Sequence, residues 1–215
     1  MSAPTLYLKQ LELGPMQNFV YLVGDPVTRE AAVIDPGWEV ETILETVRQD
    51  DYQLTHILVT HTHFDHINGV PQLLEQTDAR VYVHPTEAAY LGVERGNLSR
   101  VVSGTEVRVG RVPVTVIHTP GHTPGSQCFY VDGQLLSGDT LFIQGCGRCD
   151  LPGGDPAEMH RSLTQRLGRL DDQTVLFPGH HYANLPTSTL GQERQTNPYM
   201  QSTSLGDFLA MMGVA

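Results

Sequence analysis

Thr60-His61-Thr62-His63-Phe64-Asp65-His66 follows directly on the apolar run Ile57-Leu58-Val59. The apolar run reads as a buried strand. A strand ending in a turn lets His61 and His63 project together, while Asp65 and His66, beyond the turn, aim at a second point a few ångströms away. Neutral imidazole nitrogens and a carboxylate suit zinc, and also iron or manganese, so the pattern predicts a cation before it selects one.

Matching donors recur downstream, each just past a strand-like run. His122 lies in Thr119-Pro120-Gly121-His122-Thr123-Pro124-Gly125, a loop punctuated by Pro and Gly after Val114-Thr115-Val116-Ile117. Asp139 follows Gln134-Leu135-Leu136 within Ser137-Gly138-Asp139-Thr140, and His180 follows Val175-Leu176-Phe177-Pro178-Gly179. Taken singly, each histidine is an ordinary structural residue and Asp139 a cap or turn residue. Together they describe a site at one rim of a sheet, where rigid strands present side chains and Gly-rich loops let them converge.

The combined pattern, His-x-His-x-Asp-His followed by His122, Asp139 and His180, resembles the metallo-β-lactamase superfamily over nearly the whole chain. The resemblance implies an α/β fold, the αβ/βα four-layer sandwich, with two central sheets flanked by helices and a metal groove along one edge. It implies that His61, His63 and His122 hold a first ion and Asp65, His66 and His180 a second. Asp139 and a hydroxide would bridge them, which makes Asp65 and Asp139 the candidate catalytic residues.

Gly138-Asp139-Thr140-Leu141-Phe142, Gly145-Cys146-Gly147-Arg148 and Gly179-His180-His181-Tyr182 are similar to the glyoxalase II (hydroxyacylglutathione hydrolase) group. That likeness implies substrate contacts at Arg148 and Tyr182. Residues 188–194 with Asn197-Pro198 look like short, single-domain relatives of glyoxalase II, and residues 146–156 like hydrolases that accompany polyketide synthases. The long helical extension that supplies further glutathione contacts in glyoxalase II proper is not found before Ala215. The expectation is therefore weak affinity for S-lactoylglutathione and better turnover of an acyl-phosphopantetheine thioester.

With 215 residues and 40% hydrophobic content, a single domain over residues 1–215 can bury an adequate core. The N-terminal stretch, residues 1–14, has no basic segment leading into an apolar one, and no stretch approaches a membrane span; a cytoplasmic enzyme is expected. Three cysteines fit a reducing compartment, and Cys146 and Cys149 read as an inert or substrate-lining pair. A net charge of −11 argues against nucleic acid, whose binding depends on cations facing phosphate. Leu205, Phe208, Leu209 and Met212 share one helical face, expected to pack as a terminal helix or to form a homodimer contact.

Periodicity predicts strands over 5–13, 19–23, 31–34, 81–83, 112–118, 127–131, 134–136 and 174–177. Helices are predicted over 39–48, through Val70, Leu73 and Leu74, over 87–91, over 156–167 and near the C-terminus. Residues 92–110 read as a loop. His56, His84, His118 and His160 are assigned packing, strand-end or surface roles, and His180 is preferred to His181 as the donor.

Two cations sharing a water supply hydroxide at neutral pH and polarise a carbonyl, so no protein nucleophile is needed. A thiolate leaves without a strong general acid whereas an amine needs one, and no dedicated acid stands out. A dizinc thioester hydrolase acting on acyl-glutathione or an acyl-carrier-linked chain is the leading reading. A mononuclear iron persulfide dioxygenase is the alternative that resembles this chain at Gly145–Asp150. In it His61, His122 and Asp139 would hold the iron, and Ala typically stands where this chain has Gly179. A non-enzymatic metal-binding protein is the third reading.

Overall fold

Every residue of Asn18–Gly24 is buried, and the two-residue alternation of a strand divides its side chains between two cores. Val20 and Leu22 join Val40, Ile43, Leu44 and Val47 of the helix Val40–Gln49, whereas Phe19, Tyr21 and Val23 join Val114, Val116 and Phe129 from later strands. A strand covered on both faces belongs to a central layer.

The computed structural model describes residues 5–93 and 95–214; residues 1–4 of the N-terminal stretch read above, and Ala215, lie outside the described residues. The first sheet runs β1 (Tyr7–Leu13), β2 (Asn18–Gly24), β3 (Glu30–Ile34), β4 (Gln53–Leu58), β5 (Arg80–Val83) and β6 (Leu98–Arg100), paired in that order. Helices α1 (Val40–Gln49), α2 (Phe64–Ile67) and α3 (Val70–Gln76) connect β3, β4 and β5, which pair in parallel. The second sheet contains β7 (Glu106–Val109), β8 (Val112–His118), β9 (Gln127–Val131) and β10 (Gln134–Gly138). After a small hairpin of β11 (Leu141–Phe142) and β12 (Gly145–Cys146) come α4 (Pro156–Arg161), β13 (Val175–Pro178), β14 (Ser188–Thr189), α5 (Leu190–Thr196), α6 (Pro198–Gln201) and α7 (Leu205–Met211). The sheet order is β14-β13-β10-β9-β8-β7.

Three apolar layers separate four structural ones. The first packs α1 and α3 on the first sheet, the second fills the space between the sheets, and the third packs Cys128, Leu135 and Leu176 against Met159, Leu163, Leu190 and Phe208. This is the αβ/βα sandwich. Among the described residues no helix is long and apolar enough to cross a membrane.

The two sheets are stitched at one rim. Gln127 N–H donates to Thr60 O at 2.9 Å and its side-chain amide to Val59 O at 2.8 Å. Gly179, which extends the β13–β10 pairing by donating N–H to Gly138 O at 2.9 Å, accepts from Phe19 N–H of the first sheet at 2.8 Å. The carboxyl ends of β4, β8, β10 and β13 therefore open onto a common edge.

Some elements depart from the sequence expectation. Residues 92–110 contain β6 and β7, not a loop; β7 alternates exposed and buried along Glu106-Val107-Arg108-Val109, a period-2 signal too short to stand out. The helix expected over 156–167 is regular only to Arg161 and continues through a wide turn, Ser162–Arg166. There the Ser162 hydroxyl leaves the helix to donate to Pro120 O at 2.7 Å while the Thr164 hydroxyl bonds back to His160 O, competing with the backbone ladder. In the tail, Phe208 is fully buried but Leu205 is 37% exposed, so the apolar face predicted for this helix is only partly covered.

That contrast yields a test. Phe208→Ala, which empties a packed site against His160 and Tyr199, should cost about 3–5 kcal/mol. Leu205→Ala should stay within about 0.5 kcal/mol of wild type. Urea unfolding midpoints of the two variants check this.

Candidate metal centre

Four donors come from the first sheet. His61 and His63 lie in the turn after β4; the short α2 then carries Asp65 and His66 one turn further on, with His63 at its N-cap. Three come from the second sheet: His122 from the loop after β8, Asp139 directly after β10, and His180 after β13. The structure brings all seven together.

They divide into two sets. Donor atoms of His61, His63 and His122 lie within 4.8 Å of one another, as do those of Asp65, His66 and His180. Asp139 stands between the sets, with Oδ1 3.4 Å from His66 Nε2, and Oδ2 3.6 Å from His122 Nε2 and 3.4 Å from His180 Nε2. A third grouping, Asp35, His61 and His66, arises from the rear: Asp35 Oδ2 is 2.9 Å from His66 Nδ1.

The hydrogen bonds behind the rings fix which nitrogen faces inward. His122 Nδ1 lies 2.7 Å from Arg148 O and His180 Nδ1 2.9 Å from Met16 O. A carbonyl only accepts, so both Nδ1 atoms carry hydrogen and both Nε2 lone pairs point into the site. The Thr60 hydroxyl donates to Asp35 Oδ2 at 2.5 Å and so accepts from His61 Nδ1 at 3.0 Å, which turns the His61 Nε2 lone pair inward as well. His66 Nε2 and His180 Nε2 then face each other at 3.2 Å, and His122 Nε2 faces His63 Nδ1 at 2.8 Å. In neutral rings the His66–His180 pair is two lone pairs in opposition, an arrangement that only a cation or a proton resolves, whereas a neutral His63 with its hydrogen on Nδ1 donates to His122 Nε2. His61 Nε2 and Asp139 Oδ1 are buried without any hydrogen-bond partner, which is costly unless they coordinate. The donor set therefore fits divalent metal ions.

Without metal, protons take up the mismatch. Burial disfavours charge on His66 and His180, but the Asp139 carboxylate outweighs it, and both imidazoles lie above the usual histidine range. Burial, reinforced by the neighbouring rings, pushes His61 and His63 below it. Asp139, although buried, is held well below the usual carboxylate range by His66 and His180.

Several supporting residues escaped the sequence reading. Asp35 takes Thr60 N–H at 2.7 Å in addition to the Thr60 hydroxyl and His66; it stands after a strand and before Pro36-Gly37, the same punctuation that marks His122. Gly37 is required because a Cβ there would overlap the Asp65 carbonyl. Buried Glu87 accepts from the Thr62 hydroxyl, from the Thr123 hydroxyl at 2.8 Å and from Gly125 N–H at 2.9 Å, bracing the loops of His63 and His122 together. Asn18 and Trp38 lie behind Asp65. A Cβ at Gly179 would press on Asp139 Oδ1, so glycine leaves that carboxylate room.

The donors open into a cavity of about 450 Å³, whose rim is formed by Met16, Phe64, Phe142, Leu151, Tyr182 and Arg148. Tyr182 stacks on His180 with centroids 4.6 Å apart. Arg148 makes a two-pronged, exposed ion pair with Asp150 at 2.6 Å. Cys146 borders the cavity and Cys149 is buried behind it; burial pushes both thiols up, Cys149 to about 12. His181 turns away to Glu12 at 2.8 Å. His84 and His118 stack on each other at 4.1 Å, His56 on Tyr82 at 5.2 Å, and His160 packs on Phe208.

The model of the metallo-beta-lactamase superfamily matches residues 13–180. The "Probable polyketide biosynthesis zinc-dependent hydrolase PksB" of Bacillus subtilis is 31% identical over 86% of this chain and 82% of that protein. The hydroxyacylglutathione hydrolase of Pseudomonas entomophila is 32% identical over 87% of this chain and 83% of its own length. Among solved structures, ETHE1 from Myxococcus xanthus superposes with a TM-score of 0.88 at 34% identity, covering 96% of this chain and 90% of that one.

Asp35→Asn should weaken metal binding by about 10- to 100-fold, the usual effect of losing a carboxylate behind a ligand. Because His66 sits above its ordinary range, metal uptake displaces its proton, so affinity falls as pH drops through that raised value. Asp35→Asn withdraws one of the groups that raise it and should reduce the proton release at pH 7. Calorimetric zinc titrations in two buffers of different ionisation enthalpy measure both quantities.

Proposed function

The chain belongs to the metallo-beta-lactamase superfamily, and from that premise we propose that it is a metal-dependent hydrolase of thioesters. One observation carries the reading: two opposed donor sets share Asp139 at the floor of a cavity with an apolar rim. His61, His63 and His122 would hold one ion, Asp65, His66 and His180 the other, with Asp139 spanning both. Two divalent ions, chiefly zinc in this proposal, supply hydroxide near neutral pH and polarise the carbonyl under attack.

The remaining work falls to the chain. Asp139 fixes the separation of the two sets, and Asp65 is placed to take the proton that the attacking water gives up. Burial, then the nearby carboxylates of Asp139 and Asp65, hold the Tyr182 phenol above its usual range, so it stays protonated and can donate a hydrogen bond to substrate. A thiol leaving group has a pKa near about 8.5, so it departs as thiolate without a dedicated acid.

Among the described residues Arg148 is the one lysine or arginine on the cavity rim. A phosphopantetheine arm offers a single anionic group beside a long amide and alkyl chain, whereas glutathione carries two carboxylates and an ammonium. The rim suits the former, and the likeness to PksB, whose name places it in polyketide biosynthesis, supports an acyl-carrier-linked substrate. A mononuclear iron persulfide dioxygenase is the second reading, carried by Gly145–Asp150. The inward nitrogens of His66 and His180 beside Asp65 weigh against it, because they form a second donor set suited to a cation.

Two measurements test the proposal. Elemental analysis should find close to two zinc ions per chain, and Asp139→Ala should lose at least one of them with activity falling by orders of magnitude; one tightly held iron with oxygen consumption on glutathione persulfide would favour the dioxygenase. In steady-state kinetics an acyl-phosphopantetheine thioester should be cleaved more efficiently than S-lactoylglutathione, and Arg148→Ala should raise KM more than it lowers kcat. An unchanged KM would return Arg148 to its pairing with Asp150, a loop brace only.

A further inference from the structure

Asn18 is 1% exposed and uses both ends of its amide. Trp38 Nε1–H donates to Asn18 Oδ1 at 2.8 Å. An indole nitrogen only donates, so the amide oxygen is fixed toward Trp38 and the amide nitrogen toward Asp65. Asn18 Nδ2 donates to Asp65 Oδ2 at 3.0 Å and to Asp65 O at 3.2 Å. That Oδ2 is the oxygen lying 3.4 Å from both His66 Nε2 and His180 Nε2.

The backbone on either side of Asn18 is bonded to that on either side of His180, which it faces in an isolated antiparallel bridge: Phe19 N–H donates to Gly179 O and His181 N–H to Gln17 O, both at 2.8 Å. Asn18 thus holds one donor of the second set, Asp65, by its side chain, and its strand lies against the segment that carries another, His180. None of its hydrogen bonds reaches His61, His63 or His122. Trp38, the only tryptophan in the sequence, stands edge-on to Phe64 with centroids 6.1 Å apart, and Phe64 is 62% exposed on the cavity rim.

We propose that Asn18, locked by Trp38, is the positioning residue that sets the affinity of the second donor set for its ion independently of the first, and that Trp38 emission reports the occupancy of that set. The inference rests on the two-ion reading above. The amide pins the Asp65 carboxylate in the rotamer that faces His66 and His180. Removing it frees the carboxylate to turn and leaves the ion with two firmly held donors.

Zinc-loaded protein is dialysed against a graded series of a zinc chelator, with zinc per chain measured by elemental analysis and Trp38 emission recorded on the same samples. The wild type should lose zinc in two steps. Asn18→Ala should move one step to chelation about 10- to 100-fold milder and leave the other in place, and in the wild type the emission should change with that same step. Trp38→Phe keeps an aromatic ring against Phe64 but unlocks the amide; it should weaken the same step by a smaller factor, and it carries the test if Asn18→Ala does not fold. A single ion in the wild type overturns the two-ion reading and this inference with it. Two ions in the wild type, with both steps unmoved or equally weakened in the variants, overturn the role of Asn18 alone, as does emission that follows the other step.

Discussion

The buried carboxylate of Asp35 is the constraint on which the centre depends. Burying such a charge is costly unless it is fully hydrogen-bonded, and here Thr60 N–H, the Thr60 hydroxyl and His66 all converge on it. In accepting them it dictates the tautomers of His61, through Thr60, and of His66 directly, one ring from each donor set. Asp35 adopts a left-handed backbone, φ 52°, which an aspartate tolerates better than most residues. That turn sends Pro36 and Gly37 beneath Asp65, where no side chain fits. A single strand-end residue therefore sets two imidazole orientations and the path of the chain under a third donor.

Much of this was legible in the sequence. The seven donors stand out because four crowd into His61–His66 just past an apolar run, and the other three, His122, Asp139 and His180, each follow a glycine at the end of one, a punctuation that marks strand ends whatever the tertiary arrangement. The layers were legible too, since Val20, Leu22, Val33 and Ile57 belong to runs apolar on both faces, as expected of strands covered twice. β6 and β14 offered three and two residues, too few for a period to register. Asn18, Trp38 and Glu87 were opaque for a different reason. Their roles depend on partners 20 to 47 residues away in sequence, and a lone amide, indole or carboxylate carries no local pattern. The terminal helix shows the reverse error: its apolar face is present in sequence, but at Leu205 it is only partly covered.

The rim geometry also explains why two sheets are used rather than one. Parallel strands within a single sheet stand about 4.8 Å apart and deliver side chains in a row, whereas the two donor clusters with Asp139 between them converge from several sides. Docking the carboxyl ends of β4, β8, β10 and β13 edge to edge supplies approach from opposite walls, and the hydrogen bonds from Gln127 to Val59 and Thr60 hold those walls in register.

The division of donors between the sheets, four on one and three on the other, has a bearing on how the chain folds. The first sheet is complete by Arg100, yet His122, Asp139 and His180 come only with the second. A chain emerging from the ribosome would present a half-site with His61, His63, Asp65 and His66 before any partner exists. Contacts so far apart in sequence form late. An ion captured by both halves would then act as a cross-link, closing a loop of 59 residues between His63 and His122 or of 114 between His66 and His180 and drawing on the same chain entropy as a long-range disulfide. By mass action such an ion stabilises the native state in proportion to the logarithm of its free concentration. The persistence of the fold against proteolysis would thus follow the metal supply of the cell.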